Sequence, residues 1–254
     1  MARRPREKDD APRPLGWLGR MSARQNPPTW GMADVLTLAV VLLVAGFLLS
    51  SGVSLALAGG TNVVTGAHLL TGWGVSLVVV GGYVWLTRRR TPEERQALRL
   101  ERGLLPLPFA LLFGVAVAFT LDLLAVAVGA GFGRVAELRA LNAQDWLLAG
   151  VVLVVLQPAV LGVAFCGVIL PRLRASLGSW AGVWATVGAF TAYHFALFGA
   201  QLPPAQQFGY GVLVPFCLMF SLCALRIRTA STLAAVLAYS AWGMVAVVVM
   251  LALG

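Results

Sequence analysis

Three ionisable side chains stand inside or beside the long apolar runs of this sequence: Asp122 in "FTLDLLAV", His194 in "FTAYHF", and His68 at the start of another run. Charge at bilayer depth is costly, so each is a candidate site. An imidazole can relay a proton, and a carboxylate beside it can orient the ring. A metal centre needs three or four suitable ligands. The chain has no HExxH sequence, no paired histidines on one helix face and no glutamate within an apolar run, so neither metal nor cofactor is expected. A Ser–His–Asp relay lacks the GxSxG turn that would present its nucleophile. What remains is an Asp122–His194 hydrogen bond inside a helical bundle, serving packing or a polar cavity. Cys166, Cys217 and Cys223 also lie in apolar runs, without CxxC spacing, and read as small buried side chains.

The elements that hold these residues follow from composition. Of 254 residues, 59% are hydrophobic and 11% charged, whereas a soluble domain carries about 25% charged residues. Several continuous apolar runs reach the roughly 20 residues that cross a bilayer, and they lack the alternation of a membrane barrel. The expected fold is all-α, a polytopic transmembrane bundle of about seven spans near 34–58, 68–87, 105–130, 146–170, 179–199, 208–225 and 231–253. Residues 1–32 read as a disordered basic tail, too polar and too long before the first run for a cleavable signal. Residues 33–145 would hold spans one to three, and residues 146–254 a core of four.

Under that alternation, 17 of the 19 Lys and Arg residues fall in the tail and in every second loop, leaving Arg134 and Arg139 on the other side. The positive-inside rule then sets a cytoplasmic amino terminus and an outer carboxyl terminus in the cell membrane. The net charge of +9 therefore reports orientation, and no nucleic-acid partner is expected. The basic loops would also attract anionic lipid, about 1 kcal/mol per basic residue near the surface. Within them, "EERQALRLERG" can form a short interfacial helix anchored by Leu98 and Leu100. The many glycines within the spans read as helix-packing positions. "GAGFG" at 129–133 ends a span and is no dinucleotide loop. Pro106, Pro108, Pro158 and Pro215 read as span boundaries or breaks.

One stretch has a more specific layout. "QPAVLGVAFCGVILPRLR", Gln157 to Arg174, sets Pro158, Phe165, Gly167 and Leu170-Pro171-Arg172-Leu173 in a fixed frame. Phe190 and His194 follow as Phe-x-x-x-His, and a turn at Arg228 to Leu233 leads into Tyr239 and Gly243. From Leu153 to Met244 this frame resembles the CPBP family, the CAAX-protease and bacteriocin-processing intramembrane endopeptidases. The resemblance implies a helical core in which paired glutamates activate water and His and Asn groups hold the oxyanion.

At those positions this chain has Leu161 and Gly162 for the glutamates, Cys166 for an arginine, Tyr239 for a histidine and Gly243 for the asparagine, and it keeps His194. Leucine and glycine cannot take a proton from water, and a missing oxyanion donor typically costs about 10²–10³ in rate. The expectation is a CPBP-like scaffold without proteolysis. Its partners would be the bilayer and a membrane-associated peptide, lipid or protein, with an apolar guest in a cavity lined by Leu161. Two alternatives stand beside it. One is an endopeptidase with relocated chemistry, using Asp122 with His194. The other is a small-molecule transporter, although no repeat relates the two halves.

Overall fold

In lipid the backbone must satisfy its own hydrogen bonds, and for continuous apolar runs the helix does so. The computed structural model describes residues 16–23, 27–59, 63–88, 91–100, 107–131 and 143–253, and these are helical with short connections. We label α1 Trp17–Ser22, α2 Met32–Ala58, α3 Gly66–Arg88, α4 Pro92–Leu98, α5 Leu107–Ala127, α6 Asp145–Leu177, α7 Ser179–Leu197, α8 Gln207–Thr229 and α9 Thr232–Leu253. The exterior is apolar: Leu48, Leu112 and Leu147 are 71%, 68% and 75% exposed. So much outward apolar surface suits a lipid neighbour and not water.

Six helices among the described residues, α2, α3, α5, α6, α8 and α9, are long and apolar enough to cross a membrane. The segment expected as the fifth of seven spans is a helix, α7, 19 residues long, but Trp180, Trp184, Tyr193 and His194 dilute its apolar character and it is not among the six. It still runs the length of the bundle. Ser179 at its start bonds the carbonyls of Ser22 and Ala23, and His194 near its end lines a cavity at the opposite end.

Three expectations are corrected here. The fourth span, expected to end near residue 170, continues through "PRLRASL" in α6, and the chain breaks one residue later at Gly178, whose φ of 97° favours glycine. The prolines at 158, 171 and 215 lie inside continuous helices, each two residues after a run of wide π-type turns: 150–156, 163–169 and 207–213. A proline lacks the N–H and clashes with the carbonyl of the preceding turn, and a widened turn relieves both. Finally, the tail is not wholly unstructured. α1 packs with Met21 fully buried, and Trp30 is 2% exposed with its Nε1 donating to the Val168 carbonyl at 3.0 Å. Isolated large apolar side chains are enough to dock a polar segment that composition alone marks as disordered. Residues 1–15 and 24–26 of the tail lie outside the described residues.

Small residues set the closest helix contacts. α5 meets α9 where a Cβ on Gly114 would collide with the Ala238 carbonyl, so the two backbones touch directly. At the Arg88 end of α3, its guanidinium meets Asp34 of α2 at 2.9 Å, and the other Asp34 oxygen accepts the Gly31 N–H at 2.7 Å. α4 opens with a reciprocal cap: Glu94 N–H donates to Thr91 Oγ1, and Thr91 N–H to Glu94 Oε2, both at 3.2 Å. Its last residue, Leu98, is buried in the core of the bundle.

Candidate functional site

α6, α7 and α9 converge near the middle of the bundle. Gln157 of α6 is 4% exposed and joins two helices. Its Oε1 accepts from Trp73 Nε1 of α3 at 3.1 Å, and its Nε2 donates to Tyr239 Oη of α9 at 2.8 Å. Phe190 of α7 stands between the neighbouring groups, with ring centroids 6.0 Å from His194 and 6.3 Å from Tyr239. It also meets Phe165 edge-on at 5.1 Å, a favoured aromatic geometry. The helices carrying Leu161, His194 and Tyr239 therefore meet, as the sequence frame requires.

Beside this group lies a cavity of about 220 Å³. Its polar lining includes Gln157, His194, Gln201 and the α2 serines Ser50, Ser51 and Ser54, and Phe47, Leu70 and Leu218 are among its apolar walls. No charged side chain lines it among the described residues. Two ring nitrogens, His194 Nδ1 and Trp242 Nε1, are buried without a hydrogen-bond partner. A site so composed can hold an apolar group and meet a neutral polar atom. It has no carboxylate with which to activate water.

The substituted family positions are filled by packing. Leu161 is 1% exposed and does not line the cavity, contrary to expectation. Gly162 backs onto α9, where an added Cβ would stand 2.9 Å from Val236 Cγ2. At Gly243 a Cβ would collide with the Leu153 carbonyl of α6. Cys166 Sγ lies 3.9 Å from Met219 Sδ in the core. Cys166 and Cys223 are buried, Cys217 half-buried, and all three are free thiols.

Asp122 and His194 stand in different surroundings. Asp122 is buried on α5 outside the cavity lining, and His194 Nδ1 has no partner. His68 is engaged locally, its Nδ1 accepting the Thr65 N–H at 3.3 Å. Among the described residues no three His, Cys, Asp or Glu side chains gather as metal ligands.

Sequence reasoning overlooked Gln157 and Trp73. The signal was present, since an amide at bilayer depth must find partners, and Gln157 opens the motif-bearing stretch itself. A tryptophan one helix away carries the obvious donor.

The fold defines a class, an integral membrane helical bundle. Residues 143–245 match the family model described as type II CAAX prenyl endopeptidase Rce1-like, which bears out the CPBP resemblance of the second half. No curated protein and no solved structure matches the chain.

Proposed function

We propose that this protein is a non-catalytic relative of the CAAX-type intramembrane endopeptidases, a membrane scaffold that holds an apolar peptide segment or lipid chain in the cavity beside Gln157 and His194. The observation that carries the reading is steric as well as chemical. Leu161 is packed into the core, and Gly162 and Gly243 sit against α9 and α6 so closely that longer side chains collide. An interior in which neutral side chains replace charge favours a well-packed bundle over a hydrolytic one. The same reading keeps the amino terminus cytoplasmic and the carboxyl terminus outside, supported by the sorting of 17 of 19 basic residues into alternate segments and by α7 running end to end.

The test has two readouts on full-length protein in nanodiscs. A fluorogenic prenylated peptide should be cleaved no faster than in buffer, with or without His194→Ala. A diazirine-bearing farnesyl probe should label wild type at cavity residues such as Phe47, Leu70 and Leu218, and Leu218→Trp should suppress that labelling. Reproducible hydrolysis by the purified chain sinks the reading.

A second reading, an endopeptidase built on His194, is favoured by one feature: this imidazole lines the cavity with Nδ1 uncommitted. It requires that His194→Ala abolish cleavage while the fold survives.

A further inference from the structure

The end of the bundle opposite the cavity has the reverse character. There α4, the last turns of α6 and α8, and the segment after α1 surround a crevice of about 650 Å³. Arg20, Arg99, Arg174 and Arg226 line it, with exposed Glu93 as the one carboxylate among its lining residues.

Arg226 is 3% exposed. Its Nε donates to Thr232 Oγ1 at 2.8 Å, while Nη2 is buried without a partner. A guanidinium stays charged and presents its donors as a rigid fork. Burying one with an idle donor is unfavourable unless an acceptor meets it. The fork geometry matches the oxygens of a phosphate.

The backbone around this crevice is specialised as well. Arg99 and Ala230, with φ of 50° and 55°, are the non-glycine residues in left-handed conformation among the described residues. Arg99 lines the crevice, and Ala230 lies in the α8–α9 turn just beyond Arg226. Such conformations are uncommon for residues with a Cβ and cluster at ligand sites. The Arg99 carbonyl accepts the Thr232 N–H at 2.8 Å. One threonine thus fixes the backbone of Arg99 and the guanidinium of Arg226 together. On the far side, Arg174 Nη2 donates to the carbonyls of Met21 and Ala23, each at 3.1 Å, tying the segment after α1 to α6.

We propose that this crevice binds the phosphate group of an anionic ligand, with Arg99 and Arg226 as its principal donors. A lipid headgroup and a free phosphate present the same chemistry, and the two are separated by experiment. Full-length protein is placed in phosphatidylcholine nanodiscs, and thermal unfolding is followed as phosphatidylglycerol is introduced or as inorganic phosphate is added. A ligand that binds the folded state raises the unfolding temperature.

Wild type is expected to be stabilised. Arg99→Gln and Arg226→Gln should each raise the half-saturating ligand level about tenfold, in keeping with loss of one charge-assisted hydrogen bond. Arg95→Gln, an exposed arginine of α4 outside the lining, should change nothing. Stabilisation by phosphatidylglycerol alone assigns a lipid headgroup, and stabilisation by inorganic phosphate as well assigns a soluble anion. No stabilisation by either, or an Arg95→Gln loss equal to that of Arg99→Gln, overturns the proposal. Should Arg226→Gln fail to fold, the exposed Arg99 decides alone.

Discussion

The first half of α6 and its last turns treat polarity in opposite ways. At Leu153 and Gln157 the helix faces a cavity without charge, where an amide, an indole and a phenol satisfy one another. Some 13 to 21 residues further on, at Leu170 and Arg174, it faces a crevice with four guanidiniums, about 20–30 Å away by the rise of a helix. Buried charge is absent from the lining of the cavity and present in that of the crevice. The contrast teaches that neutral side chains at Leu161 and Gly162 are not part of a general loss of polar groups.

That contrast can be broken at four points, taken from the largest expected effect. Gly243→Asn would restore the family's side chain but drive it into the Leu153 carbonyl. It should cost about 3 kcal/mol by overpacking, seen as a lower unfolding temperature in nanodiscs. A neutral result would mean that α9 and α6 can part, and that the chemical site is recoverable. Gln157→Leu leaves the Trp73 N–H and the Tyr239 hydroxyl without their shared partner and should cost about 1–3 kcal/mol. If it stabilises instead, the amide is retained for a ligand and not for the fold.

Asp34→Asn removes the partner of Arg88, whose side chain is 7% exposed while that of Asp34 is 43% exposed. The open side of the pair limits the loss to about 1 kcal/mol, and added salt should shrink the gap between variant and wild type. Thr91→Ala removes the α4 cap and should cost about 0.5–1 kcal/mol. Its sharper consequence is local, because Arg99 caps the end of α4. Hydrogen exchange should speed up in residues 92–99 while α9 keeps its protection.

Much of this organisation was legible in the sequence because lipid leaves little choice. Apolar runs of sufficient length become helices, and the frame from Pro158 to Gly243 places Leu161, His194 and Tyr239 on helices that meet. The failures share a physical origin. Leu161 was expected to line a cavity, but which face of α6 a residue occupies depends on rotation about the helix, and composition does not carry it. Gln157 was passed over because one polar residue in an apolar run looks like noise until its partners are known. The length of α6 was underestimated because a proline such as Pro171 reads as a stop signal, and the wide turns that accommodate it have no recognisable sequence signature. Trp30 shows the converse error, since a polar segment needs only one well-placed ring to be drawn into the core.

Those wide turns have a consequence for comparing this chain with its relatives. Each extra residue wound into a turn advances the angular phase of everything after it by about 100°. α6 contains two such dislocations on either side of Leu161, at 150–156 and 163–169. The compass bearing of Gln157, Leu161 and Arg174 about the helix axis is therefore set by how these windings are stored. A one-residue deletion in either run would spare the span's length and swing one end of α6 away from its partners, so that alignment by spacing alone would assign the wrong face.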